Sequence, residues 1–129
     1  MADPSAIRIL IVDDQASIRS LIRASLHQLG FTDVVEAPDG EEGLRVLLTR
    51  SIHLVISDFN MPKLDGLALL RAIRSHPPIK NVAFVMLTGR ADRELVQRAV
   101  QFGVNNFLVK PFTVATLKQK VEEVVGVLA

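Results

Sequence analysis

The hydrophobic positions change period repeatedly along the chain. Residues 7–12 (IRILIV) form a near-continuous apolar run of strand length. Ile18, Leu21, Ile22, Leu26 and Leu29 then recur at steps of three and four, the spacing of one helix face, and Gly30 comes next, where a helix end favours glycine. The alternation continues. Residues 32–37 predict a second strand, Pro38-Asp39-Gly40 a turn, and the segment to about Thr49 a second helix. A third strand is expected over 52–57. A third helix should start near Gly66 and end by His76, because Pro77-Pro78 cannot extend it. Residues 82–87 predict a fourth strand. Leu95, Val96, Ala99 and Val100 mark a fourth helix closed by Gly103. Residues 106–109 predict a fifth strand. Leu117, Val121, Val124, Val125 and Leu128 give the last helix, with Thr113 as its cap.

Five strands alternating with five helices imply an α/β fold, a doubly wound parallel sheet with helices on both faces. Parallel strands are buried on both sides, which accounts for solid apolar runs rather than alternation. No repeat, linker or compositional break divides the 129 residues. A single domain is expected, with its core over about 7–127 and no output domain.

Composition narrows the function classes. Fifteen basic and 14 acidic residues leave a formal net charge of +1, which gives no general attraction to nucleic acid or an anionic membrane. The chain contains no cysteine, which excludes disulfides, thiol chemistry and zinc–thiolate sites. The longest apolar run, 82–87, is too short to span a bilayer, and residues 1–6 lack a signal-peptide core. A cytoplasmic, monomeric or weakly associating protein is the expectation.

The chemistry lies just past the end of each strand. Asp13 and Asp14 come after the first, Asp58 and then Asn60 after the third, Thr88 and Gly89 after the fourth, Lys110 and Pro111 after the fifth. In an open parallel sheet these positions converge on the carboxyl rim, where such folds bind ligands. Alone, Asp13 and Asp14 would read as helix caps, Asp58 as a turn residue and Lys110 as a solvated lysine. Together they make a site. Crowded carboxylates repel, and a hard divalent cation relieves them; magnesium suits Asp13, Asp14 and Asp58 with a nearby carbonyl. A carboxylate can also act as nucleophile to form an aspartyl phosphate, with the Lys110 ammonium and Thr88 hydroxyl neutralising phosphoryl oxygens.

The motifs VDD at 12–14, SDFNMPKLDG at 57–66, LTG at 87–89 and VKPF at 109–112 resemble those of the receiver domains of two-component response regulators, in particular the single-domain chemotaxis (CheY-like) type. The resemblance covers about residues 7–127. It implies strand order 2-1-3-4-5 in a flavodoxin-like arrangement. It implies that Asp58 is the phosphoacceptor, with Asp14 ligating magnesium directly, Asp13 largely through water, and Asn60 through its backbone carbonyl. Thr88 would be the switch hydroxyl and Phe107 the switch aromatic, at the position where the chemotaxis type has tyrosine. Lys110 would bind a phosphoryl oxygen, with a cis peptide to Pro111. Arg90, together with Asn60, would govern water access to the acyl phosphate.

The function expected from the resemblance is that of a stand-alone receiver, not an enzyme acting on outside substrates, phosphorylated by a histidine kinase. It would signal to a protein effector through the fourth helix, fifth strand and fifth helix, roughly residues 91–128. A phosphate sink or relay intermediate is the alternative within the family. A magnesium-dependent phosphohydrolase is more distant, since Asn60 stands where an acid would activate water. FMN binding is disfavoured by two acids where a phosphate-cradling loop would lie. His27, His53 and His76 share no ligand spacing and read as structural or surface groups. Arg19 and Arg23 read as solvated helix residues, and Arg90, Arg93 and Arg98 as candidates for a recognition surface.

Overall fold

The computed structural model describes residues 1–89 and 93–129. The strands are β1 (Arg8–Val12), β2 (Asp33–Ala37), β3 (Leu54–Asp58), β4 (Ala83–Thr88) and β5 (Asn106–Val109). The helices are α1 (Ala16–Gln28), α2 (Gly40–Thr49), α3 (Gly66–Arg74), α4 (Arg93–Gln101) and α5 (Val114–Val125). All strand pairings are parallel, in the order β2-β1-β3-β4-β5.

Strand residues alternate between two cores, as the pleat requires. Ile9, Ile11, Leu54, Ile56, Val85 and Leu87 meet Ile22 and Leu26 of α1 and Leu117 and Val121 of α5. Leu10, Val12, Val55, Phe84 and Met86 meet Leu47 of α2, the Leu69, Leu70 and Ile73 stripe of α3, and Leu95 and Ala99 of α4. No described helix is long and apolar enough to cross a membrane.

Boundaries differ from expectation in instructive places. β3 begins at Leu54, two residues later than expected; just before it, His53 Nδ1 accepts the Arg8 amide at 2.9 Å while the His53 N–H donates to the Arg8 carbonyl at 2.9 Å. At its other end β3 includes Asp58, which pairs with Leu87, and β4 includes Thr88, which pairs with Val109. Both chemical side chains thus sit on ladder positions rather than on free loops. α3 ends at Arg74, within the expected limit of His76. Gly126, at φ +97°, ends α5 before Leu128 can join it. Leu128 pairs instead with Ala2, through Ala2 N–H to Val127 O at 2.7 Å and Ala129 N–H to Ala2 O at 2.8 Å. A short 3-10 turn, Pro4–Ala6, links this clasp to β1 and seats a buried Pro4 against Gly30.

Candidate functional site

β1 lies second in the sheet, between edge strand β2 and central strand β3, and the chain winds outward from it in opposite directions, to β2 on one side and to β3 on the other. The crevice at such a reversal lies beyond the strand carboxyl ends. There the structure brings together Asp13, Asp14, Asp58, Thr88 and Lys110. Asp13 is fully buried, Asp58 and Thr88 are nearly so, and Asp14 and Asn60 are exposed. One carboxylate oxygen from each of Asp13, Asp14 and Asp58 lies within 4.8 Å of the others. The Lys110 ammonium stands 3.2 Å from Asp58 Oδ1 and 3.7 Å from Asp13 Oδ2.

Local hydrogen bonds explain why these residues face each other. Asp13 is not a helix cap. Its Oδ1 accepts the Gln15 amide at 2.8 Å, folding the start of the loop back on itself, while Gln15 precedes α1 without a side-chain cap bond. Lys110 N–H donates to Thr88 O at 2.8 Å, tying the end of β5 to the end of β4. The peptide from Lys110 to Pro111 is cis. Phe59 N–H donates to Leu87 O at 2.9 Å and Gly66 N–H to Phe59 O at 2.8 Å, so the loop after Asp58 is anchored at both ends. Asp39, which caps α2, adds an ion pair at 3.6 Å to Lys63 of that loop, whose backbone sits at φ +67°.

A divalent cation fits this donor set on structural grounds. Asp13 Oδ2 is buried and has no hydrogen-bond partner among the described residues. Such an orphaned carboxylate oxygen is costly unless a positive charge satisfies it. Lys110 offers part of that charge, but at 3.7 Å it makes no hydrogen bond. Asp13 and Asp14 with a carbonyl of the β3–α3 loop are hard oxygen donors of the kind magnesium takes. The Asn60 carbonyl accepts no hydrogen bond from the described residues, which leaves it available.

Burial raises the Asp13 pKa above the usual carboxylate value, against the opposing Gln15 amide, and the neighbouring Asp58 and Asp14 charges add to the rise. The consequence for stability has a definite sign. The unfolded chain releases this proton near about pH 4, the fold only at higher pH. The stability that the bound proton contributes is complete below the unfolded value and is lost as pH rises through the folded one. Asp13→Asn removes the buried negative charge and is therefore expected to stabilise the metal-free protein at neutral pH. The gain should shrink at mildly acid pH. Thermal melts in chelator at the two pH values check this; an equal gain at both would contradict it.

Phe107 is apart from the rim. It is half-buried in β5 and packs on the core beneath α2, α3 and α4. Arg90, together with residues 91 and 92 of the expected partner surface, lies outside the described residues. The residue pattern missed Arg19 and Arg23, which are not solvated bystanders. Arg19 Nη1 donates to the Asp13 backbone carbonyl at 2.7 Å and its Nε pairs with Glu36 at 3.1 Å; Arg23 pairs with the other Glu36 oxygen at 2.8 Å. Their helical spacing gave no sign of this, because the partner carboxylate is on β2.

A cleft of about 430 Å³ opens beside Thr88, bounded by Phe59, Asn60, Leu67, Gly89, Glu94, Leu95 and Arg98. A larger one, about 550 Å³, lies between the α2–β3 and α3–β4 connections and is lined by His53, His76, Arg50, Ser51, Asn81 and apolar residues but no acid. Size alone does not mark the chemical site.

Comparison with known proteins agrees with the geometry. The response regulator receiver domain model matches residues 9–122. A Rhizobium etli protein named "Probable chemotaxis protein CheY" is 49% identical over 99% of both chains. The Pseudomonas aeruginosa chemotaxis protein CheY is 41% identical over 91% of this chain and 94% of its own. Among solved structures, the Vibrio cholerae chemotaxis protein CheY4 superposes with a TM-score of 0.86 at 33% identity, covering 92% of this chain and 98% of that one. The receiver domain of a Pseudomonas aeruginosa sensor histidine kinase, solved with a magnesium ion coordinated in its active-site cleft, gives 0.84 at 29% identity, covering 93% and 98%.

Proposed function

The chain belongs to the response regulator receiver domain family, and from that premise we propose that it is a phosphorylation-controlled switch. Asp58 takes a phosphoryl group from a histidine kinase, and a protein effector reads the result. The observation that carries this reading is the Lys110 ammonium, 3.2 Å from the Asp58 carboxylate, facing it across a rim that already gathers three acids. Magnesium, held by Asp13, Asp14, Asp58 and the Asn60 carbonyl, would neutralise charge on the phosphoryl oxygens.

The chain's own residues supply the rest. An Asp58 oxygen attacks phosphorus. The bond from phosphorus to the donor's nitrogen or oxygen breaks, and its electron pair leaves with the donor group. Lys110 holds one phosphoryl oxygen as a point charge. The Thr88 hydroxyl, on the adjoining strand end, moves toward another, and Phe107 moves into the space beneath it. The added charge shifts a two-state equilibrium. The protein thus catalyses only its own modification and, with water, its reversal.

The effector would meet α4, β5 and α5, where Val100 and Val109 leave apolar side chains 61% and 42% exposed. The chemotaxis names of the relatives support a cytoplasmic role in that process, through protein contacts rather than nucleic acid or membrane. Incubation with magnesium and a small acyl-phosphate donor should add one phosphoryl group per chain, read by intact mass. No addition, or addition without magnesium at the same rate, would count against the reading.

A further inference from the structure

Asp14 is the exposed member of the acid cluster, and its side chain has no hydrogen bond or ion pair with the described residues. Its aim therefore depends on the backbone that carries it. Two contacts hold that backbone. The Gln15 amide is on Asp13 Oδ1, and the Arg19 guanidinium is on the Asp13 carbonyl, the oxygen of the peptide joining the two acids. Arg19 is itself oriented, because its Nε is held by Glu36 of β2, and Arg23 steadies the far oxygen of that carboxylate. The Arg19 side chain is only 18% exposed. A planar guanidinium can serve two acceptors in fixed directions, which an ammonium on a flexible stem cannot.

We propose that Arg19 is a positioning residue for the cation site, fixing the Asp13–Asp14 peptide so that both carboxylates face the same ion. This rests on the reading that the acids hold magnesium. Residues behind metal ligands commonly change affinity by about 10–100-fold when removed. The direction of the effect separates positioning from simple charge. Arg19 is a cation beside a cation site, so deleting its charge alone should tighten magnesium binding. Loss of positioning should weaken it.

The experiment titrates magnesium into the wild type, Arg19→Ala and Arg23→Ala by calorimetry, and measures amide hydrogen exchange in the metal-free proteins. Arg23→Ala removes an arginine–Glu36 ion pair of the same kind but leaves the Asp13 carbonyl bond intact. Arg19→Ala is expected to bind magnesium about tenfold more weakly, with faster exchange at Gln15. Arg23→Ala should stay within about twofold of wild type, since it leaves both Arg19 contacts, to Glu36 and to the Asp13 carbonyl, in place. Unchanged or tighter binding by Arg19→Ala, or equal weakening by both variants, would overturn the proposal. A wild type that binds no magnesium would instead remove the metal reading itself, and this inference with it.

Discussion

Asp58→Asn is expected to fold normally and to accept no phosphoryl group from either a small acyl phosphate or a kinase. Asparagine has nearly the same shape, so the ladder pairing with Leu87 and the Ser57 hydroxyl bond to the residue-58 carbonyl at 3.0 Å are retained. What disappears is the nucleophile, since a neutral amide does not attack phosphorus as a carboxylate does. Lys110 loses its nearer partner but keeps Asp13 at 3.7 Å, and one of three crowded negative charges is gone. Stability should therefore change by no more than about 1 kcal/mol. Intact mass and a thermal melt on the same sample read both halves. Labelling at the wild-type level, or transfer to Asp14, would place the acceptor elsewhere.

Gly66→Ala should have a large effect on the fold. A Cβ at this position would collide with the Asp58 carbonyl oxygen and lie 2.9 Å from Phe59 Cα, both main-chain atoms, and 2.9 Å from Met86 Sδ. The methionine sulfur can yield, but the backbone atoms cannot do so cheaply. Forcing a methyl into packed space costs about 1–3 kcal/mol and more where backbone must shift. We expect a loss of about 3 kcal/mol, a fall in melting temperature of roughly 10 °C. The displaced atoms belong to Asp58, the proposed phosphoacceptor, and its neighbour, so the labelling rate of the folded fraction should drop too, by at least about tenfold. Unchanged melting would show that the start of α3 can slide away from β3. Unchanged labelling would show that Asp58 is held independently of it.

These two residues mark how far the sequence alone could be read. Asp58 was legible because a carboxylate after LVIS interrupts an apolar run, and because Asp13, Asp14 and Lys110 interrupt others in the same way. A parallel sheet turns that one-dimensional regularity into proximity. The same runs predicted the architecture, since buried parallel strands need solid apolar segments. Gly66 was legible only as a helix start; its tight fit against the Asp58 carbonyl depends on how closely α3 approaches β3. The Arg19–Glu36–Arg23 cluster depends on α1 passing over β2, a packing relation that helical periodicity does not encode. Leu128 fitted the apolar spacing of α5, yet Gly126 turns the chain out of the helix and hands Leu128 to Ala2.

That pairing of the two chain ends has a practical consequence. α5 starts beside the reactive rim after β5 and returns toward the edge where the strands begin, so Ala2 and Leu128 meet at the pole remote from Asp58. A strand's length, roughly 17 Å, separates the two poles. A fluorophore or surface tether on either end would hang from the underside and leave access for a phosphodonor unobstructed. A short peptide joining the ends would close the polypeptide into a ring, from which new ends could be opened in a distant loop.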